Sequence, residues 1–174
     1  KEDIDSLIIT ASGGPFRERP IENFRDITKK EALNHPNWEM GEKITVDSAT
    51  MMNKGFEVIE AFWLFGFSPS DIKVVVHPQS IIHSMIEFKD GAIKAQLGVP
   101  DMKVPIQYAL TYPRHLKSPW ERLDFFSCGK LTFQEPDLEK FPCISLAFKS
   151  LEDLGTMPAA LNLANDYAVF RFLN

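Results

Sequence analysis

Ile44-Thr45-Val46-Asp47-Ser48-Ala49-Thr50-Met51-Met52-Asn53-Lys54-Gly55-Phe56-Glu57-Val58-Ile59-Glu60-Ala61-Phe62-Trp63-Leu64-Phe65-Gly66 is the stretch on which the fold turns. Its β-branched opening, Ile44-Thr45-Val46, reads as a short strand. Asp47 or Ser48 then caps the longest helix of the chain, about Ala49 to Phe65, which Gly66 closes. Met52, Phe56, Ile59 and Trp63 recur three or four residues apart, so one face of that helix packs inward.

Upstream, Ile4 to Thr10 reads as a strand stopped by Ser12-Gly13-Gly14-Pro15. Thr28 with Glu31 three residues on matches a capping box, which predicts a short helix from Lys29 to Leu33 that breaks before Pro36. Downstream, Ile72 to His77, Ile81 to Phe88 and Ala92 to Leu97 read as strands, the last two joined through Lys89-Asp90-Gly91. Prolines 113, 119 and 136 interrupt the next segment, whose only strand signal is Leu131-Thr132-Phe133. Cys143 to Leu154 and Ala159 to Phe172 carry amphipathic helical patterns. The fold class is α+β: a small mixed β-sheet with helices packed on one face, followed by a linker and the beginning of an all-helical domain. The expected division is an α+β unit over 1–111, a linker over 112–140 and a helical region over 141–174. The first strand has almost nothing before it and the last helix stops inside its apolar pattern, so both ends read as cut.

With 174 residues, 44% of them hydrophobic and 25% charged, the chain buries a core of ordinary size. A formal charge of −5 without a basic stripe argues against nucleic acid as a partner. No apolar run approaches the roughly 20 residues of a membrane span, so no membrane association is expected. Two cysteines, Cys128 and Cys143, lack the spacing of a zinc site or a disulfide framework and fit a reducing compartment.

The same central stretch carries the chemistry. Unpaired N–H groups and partial positive charge at a helix start, joined by Ser48, Asn53 and Lys54, suit a phosphate monoester. Asn53, Glu57 and Glu60 fall at i, i+4 and i+7, which stacks them on one face. Glu57 would then lie deeper, placed to hold a hard cation through oxygen. Taken alone, Lys54 and Glu57 also read as an ordinary solvent-exposed i,i+3 ion pair. Gly55 tells against that plainer reading, because a helical glycine costs about 1 kcal/mol relative to alanine and is seldom placed without a packing or functional reason. Ser12-Gly13-Gly14 after a strand could meet an anion, though a tight turn is the simpler account. No Walker A lysine and no GxGxxG is present, so neither nucleotide hydrolysis nor a dinucleotide fold is indicated within this chain. His35-Pro36-Asn37-Trp38-Glu39-Met40-Gly41 places an imidazole, an indole and a thioether in a polar loop, the composition of a lid over a ligand. His77 reads as a satisfied structural histidine, while His83 is balanced between structure and function.

Ser12-Gly13-Gly14-Pro15-Phe16-Arg17, His35-Pro36-Asn37-Trp38, Val46 to Gly55, His77 to Met85 and Gln96-Leu97-Gly98-Val99-Pro100-Asp101-Met102, in this order, closely resemble the deoxyxylulose phosphate reductoisomerase family. The resemblance implies conversion of 1-deoxy-D-xylulose 5-phosphate to 2-C-methyl-D-erythritol 4-phosphate in isoprenoid precursor biosynthesis, by a divalent-metal-assisted rearrangement and hydride transfer from NADPH. It implies that Ser12, Ser48, Asn53 and Lys54 hold the substrate phosphate, that His35 contacts substrate, and that Trp38 covers it. Glu57 would be a ligand to Mg2+ or Mn2+ that also touches substrate. Gly41 and Met40 would lie at the NADPH nicotinamide, while Glu60, Ser80, His83 and Met102 would support the site from behind. A homodimer in a bacterial cytoplasm or a plastid stroma is implied as well. The family's NADPH domain and the acidic pair that completes its metal site have no counterpart here, so this chain alone is expected to be inactive. Two alternatives remain: a non-catalytic phosphosugar-binding or assembly module, and a metal-dependent ketose-phosphate isomerase without NADPH.

Overall fold

The structure, a computed structural model, describes residues 2–36 and 39–174. Four strands form one sheet in the order β2-β1-β3-β4. β1 (Ile4–Ala11) runs parallel to β2 (Ile72–Val76), with Leu7 opposite Ile72 and Ala11 opposite Val76. On its other side β1 pairs antiparallel with β3 (Ile82–Phe88), which pairs antiparallel with β4 (Ile93–Leu97). The sheet is therefore mixed, and the parallel pair forces the chain between β1 and β2 to cross over it.

That crossover carries a short 3₁₀ turn (Ile21–Asp26), α1 (Lys29–Ala32), α2 (Glu42–Ala49) and α3 (Met52–Phe65). α1 begins in a complete capping box: Thr28 Oγ1 accepts from the Glu31 N–H, and the Glu31 carboxylate accepts from the Thr28 N–H. Arg19 Nη1 donates to the same carboxylate, and these bonds hold Glu31 down at about 2.

The strand expected at Ile44-Thr45-Val46 is instead the middle of α2. The buried positions Thr45, Val46 and Ala49 follow helical spacing, and Thr45 Oγ1 donates back to the Gly41 carbonyl at 2.8 Å. Three β-branched residues were outweighed by tertiary burial. The long helix does not begin at Ala49 either. Thr50 Oγ1 bonds the Val46 and Asp47 carbonyls and accepts from the Met52 N–H, offering the backbone an alternative to helix continuation. Met51 then takes a left-handed conformation, φ 59°, with its side chain buried in the core. A corner between two helices replaces one helix, so Ser48 belongs to the last turn of α2 and Asn53 and Lys54 to the first turn of α3.

After β4 come α4 (Lys103–Thr111), which the sequence did not announce, and the four-residue α5 (Phe125–Cys128). The strand expected at Leu131-Thr132-Phe133 reduces to a single bridge, in which Gln134 and Val76 exchange both backbone hydrogen bonds at 2.9 Å. β2 ends at Val76, so there is no longer edge to pair with. α6 (Pro142–Asp153) and α7 (Met157–Leu173) close the described chain. Among the described residues no helix is long and apolar enough to cross a membrane.

The core lies between the sheet and the α3–α6 layer. Ile9, Val58, Ala61, Ile72 and Leu151 form one part of it; Ala11, Phe16, Met51, Val76, Phe141 and Ile144 form the other. α6 supplies residues to both parts. Gly55 is the point of closest approach: a Cβ there would stand 2.9 Å from the Ala147 Cβ and 3.2 Å from the Cys143 carbonyl oxygen. The reason for a glycine inside α3 is thus packing against α6. Gly55→Ala gains helix propensity but overpacks this contact, and the net effect expected is destabilisation by about 1–3 kcal/mol. Urea unfolding checks it; an unchanged or raised midpoint would show that α6 moves aside without cost.

Candidate functional site

Three chain segments meet where β1 ends. The first is the turn Ser12-Gly13-Gly14, with Gly13 at φ +86° and Gly14 at φ +67°. The second is the last turn of α2, with Ser48, and the third is the first turn of α3. A Cβ on Gly14 would lie 2.6 Å from the Ser48 carbonyl oxygen, so only glycine allows the turn to press this closely on the α2–α3 corner. Between them is a recess of about 20 Å³, lined by Ser12, Gly13, Gly14, Ser48, Met51, Asn53 and Lys54.

The recess opens into a cleft of about 590 Å³ lined by Ser12, His35, Met40, Ser48, Asn53, Lys54, Glu57, Ser80, His83 and Met102, among others. Those ten are residues that the sequence singled out. Two more stand apart from the lining. Gly41 caps α2 beside Met40. Glu60 lies one turn beyond Glu57 and lines a neighbouring depression with Lys43, Asp47 and Phe56; Asn53 borders both hollows. Trp38 lies outside the described residues. Glu39, Ile44, Asp101 and Lys103 also line the cleft and were not anticipated. Asp101 lies inside the Gln96–Met102 motif and Lys103 just past it, and nothing in their spacing marked them as lining the cleft.

Inside the cleft the polar groups are paired. Lys54 Nζ donates to both Glu57 oxygens, at 2.7 and 2.8 Å, and Asn53 Nδ2 donates to Glu57 Oε1 at 2.8 Å. The i,i+3 ion pair of the plainer sequence reading therefore exists, yet it lines the cleft, with the lysine side chain 19% exposed. Ser12 Oγ and His35 Nε2 are 3.1 Å apart, and the Gly14 N–H donates to Ser12 Oγ at 3.3 Å. Burial holds the His35 imidazole below its usual range. His83 is lowered as well, first by burial and then by the nearby Lys54 charge, while its contact with the Val99 carbonyl works the other way. Glu60 is raised, by burial first and the Glu57 carboxylate second.

Strand β3 aims His83 through a bulge. Register shifts between Ile82 and Met85, Ser84 sits at φ 75°, and its N–H donates to Thr10 Oγ1. His77 is fully buried. Its Nδ1 donates to the Thr132 carbonyl and its Nε2 accepts from the Ile81 N–H, which fixes one neutral tautomer. Among the described residues no three His, Cys, Asp or Glu side chains gather as a metal cluster.

Two protein-family models match this chain. One, described as the 1-deoxy-D-xylulose 5-phosphate reductoisomerase C-terminal domain, covers residues 1–65; the other, described as the DXP reductoisomerase C-terminal domain, covers residues 97–174. The chain is 62% identical over 173 residues to the 1-deoxy-D-xylulose 5-phosphate reductoisomerase of Acetivibrio thermocellus, covering 99% of this chain and 45% of that protein. It is 59% identical over 170 residues to that of Bacteroides fragilis, covering 98% and 44%. Among solved structures, a DOX-P reductoisomerase in complex with NADPH, fosmidomycin and magnesium superposes with a TM-score of 0.95 at 50% identity, over 98% of this chain and 42% of that one. The Zymomonas mobilis enzyme in complex with NADPH gives 0.92 at 46% identity, over 99% and 44%. The chain thus spans less than half the length of the relatives it matches, and over that span it belongs to the 1-deoxy-D-xylulose 5-phosphate reductoisomerase family.

Proposed function

We propose that this chain is the substrate-holding part of an NADPH-dependent reductoisomerase that converts 1-deoxy-D-xylulose 5-phosphate to 2-C-methyl-D-erythritol 4-phosphate on the non-mevalonate route to isoprenoid precursors. The observation that carries this reading is the convergence of Ser12, Ser48, Asn53 and Lys54, drawn from three segments, on one recess at the end of a cleft that also holds Glu57 and His35.

The recess takes the phosphate. Two hydroxyls, an amide and an ammonium surround it, and the start of α3 adds partial positive charge. Lys54 turns from Glu57 to the phosphate, exchanging one charge-assisted bond for another. Anchored there, the substrate carbons extend along the cleft past Glu57, and the imidazole of His35, 3.1 Å from Ser12 and so beside the recess, bonds a substrate oxygen. Met40 and Gly41 stand at the mouth from which NADPH would present its nicotinamide. Remote binding energy at the phosphate thereby orients the reacting end.

The resemblance implies a divalent ion, and Glu57 offers it an oxygen donor of the right hardness. One carboxylate does not make such a site, and both its oxygens accept hydrogen bonds from Asn53 and Lys54. The chain's own residues fall short of the Mg2+ or Mn2+, so no reaction step is derived through it. The thiols of Cys128 and Cys143 are unpaired and suit a reducing compartment, a bacterial cytoplasm or plastid stroma. β4, an edge strand with four of five residues exposed, supports a homodimer formed by edge pairing.

Calorimetric titration tests the phosphate recess. This chain is expected to bind deoxyxylulose phosphate without turning it over, and Lys54→Met to weaken binding about 10- to 100-fold, the scale of a lost charge-assisted bond. Equal affinity in the variant would remove the phosphate assignment. When the chain is joined to an NADPH-binding domain, NADPH oxidation should become metal-dependent, and Glu57→Gln should lower it by several orders of magnitude. Binding without oxidation in that complete protein would favour the phosphosugar-binding module.

Acidification tests the neutral imidazole. With folded values below the unfolded value of about 6.5, His35 and His83 take up protons less readily in the folded state, so stability is complete above about pH 6.5 and falls as the pH drops through it. Glu31 loses its contribution only at lower pH, and Glu60, being raised, acts in the opposite sense. NMR titration of the imidazole C–H signals should give both midpoints below about 6.5; a midpoint for His35 above that value would end its role as a neutral hydrogen-bonding partner.

A further inference from the structure

Asp47 is a carboxylate at 2% exposure that no part of the cleft uses. Its Oδ1 accepts from Asn165 Nδ2 at 2.8 Å, and its Oδ2 accepts from Lys43 Nζ at 2.7 Å. Lys43 Nζ also pairs with Asp166 Oδ1 at 3.1 Å and lies 5.0 Å from the centre of the Phe56 ring. Two consecutive residues of α7 thus grip one turn of α2. Along α7 only Asn165 and Val169 are buried, and this polar contact ties the helix to α2. A buried carboxylate is costly unless each oxygen finds a donor, and here an amide and an ammonium meet that demand.

Ser48 is the next residue. Its side chain lines the phosphate recess and its carbonyl oxygen packs against Gly14. Thr50, three residues after Asp47, bonds the Asp47 carbonyl and receives the Met52 N–H that opens α3. The backbone of Asp47 is therefore continuous with every part of the α2–α3 corner, while its side chain faces the other way, into α7. Neither Asp47 nor Asn165 lines the cleft or the recess.

We propose that Asn165 and Asp47 are positioning residues: the α7 amide, through the Asp47 carboxylate, holds the α2–α3 corner in the geometry that binds phosphate. This rests on the phosphate reading of the recess and adds to it the dependence of that recess on a helix well over 100 residues later in the chain. The contact is specific in its chemistry. An amide donates to the carboxylate, whereas an aspartate at 165 would repel it and an aliphatic residue would leave Oδ1 without a donor.

The test compares the wild-type chain with Asn165→Leu, Asn165→Asp, and the exchange variant Asp47→Asn with Asn165→Asp, which keeps one amide facing one carboxylate in reverse. The probes are inorganic phosphate and deoxyxylulose phosphate, titrated at a temperature where circular dichroism shows each variant folded. Both single variants should bind each probe about tenfold more weakly, the equivalent of one lost net hydrogen bond, and the exchange should recover most of that loss. A role in stability alone would lower the melting temperature and leave affinity unmoved in the folded protein, which would overturn the proposal. If a single variant does not fold, the exchange variant decides: recovered folding with wild-type affinity supports it, and recovered folding with weakened affinity refutes it. Should the wild-type chain bind neither probe, the phosphate reading itself fails. The positioning claim is then read from amide hydrogen exchange, where faster exchange confined to residues 47–54 in Asn165→Leu sustains it and unchanged exchange there ends it.

Discussion

The close approach of the Gly14 backbone to the Ser48 carbonyl is the constraint on which the rest of the site depends. It holds the end of β1 against the corner between α2 and α3, and it requires both a turn residue without a Cβ and a carbonyl fixed in place. The carbonyl is fixed because the corner is rigid: Met51 spends a left-handed conformation to bury its side chain, and Thr50 closes the backbone on both sides of it. A buried methionine in this conformation is strained on its own, so core packing must over-determine it. The groups proposed to hold phosphate, carried by a short turn and two helix ends, would otherwise be mobile. Here they stand on the hydrophobic core itself.

Lys54 and Glu57 show how such a cleft remains stable without its ligand. A carboxylate 35% exposed and an ammonium 19% exposed each lose hydration, and the pair returns part of that loss by two short bonds. The same bonds set a competition. Whatever draws Lys54 towards an anion leaves Glu57 with Asn53 alone, and whatever draws Glu57 towards a cation releases Lys54. Opposite charges arriving together therefore satisfy both groups at once, whereas either alone strands one of them. If the recess takes the proposed phosphate and Glu57 contributes to a cation site completed elsewhere, the two would favour joint occupation through elementary electrostatics.

Much of the fold and site was legible in the sequence, and the misreadings share a physical cause. Alternation and turn residues located four strands to within a residue or two, and the capping box at Thr28 and Glu31 was read from two side chains. Local preference failed where tertiary burial decided. Ile44-Thr45-Val46 carries strand propensity but is helical because Thr45, Val46 and Ala49 all face the interior. The corner at Met51 left no mark, since methionine is no turn residue. Gly55 was marked as unusual, yet its partner Ala147 lies on a helix that no local pattern connects to it. Ser48, Asn53 and Lys54 were grouped through an incorrect secondary structure and still line one recess, because they lie close together whether one helix or two carries them; Ser12 joined them only through the resemblance. Asn165 could not be found this way: one of two asparagines in a largely apolar helix, it resembles a solvated residue until its carboxylate partner is seen.

The way the recess is built suits an anchor. At the recess, every lining residue stands on a turn or helix end packed into the core, and Asn165 braces the corner from behind. His35 lies beside the recess, on the connection between a four-residue helix and α2, with its Nε2 3.1 Å from Ser12 Oγ. An anchor is useful only if it does not move when the ligand arrives, because binding energy spent on ordering it is lost to orientation.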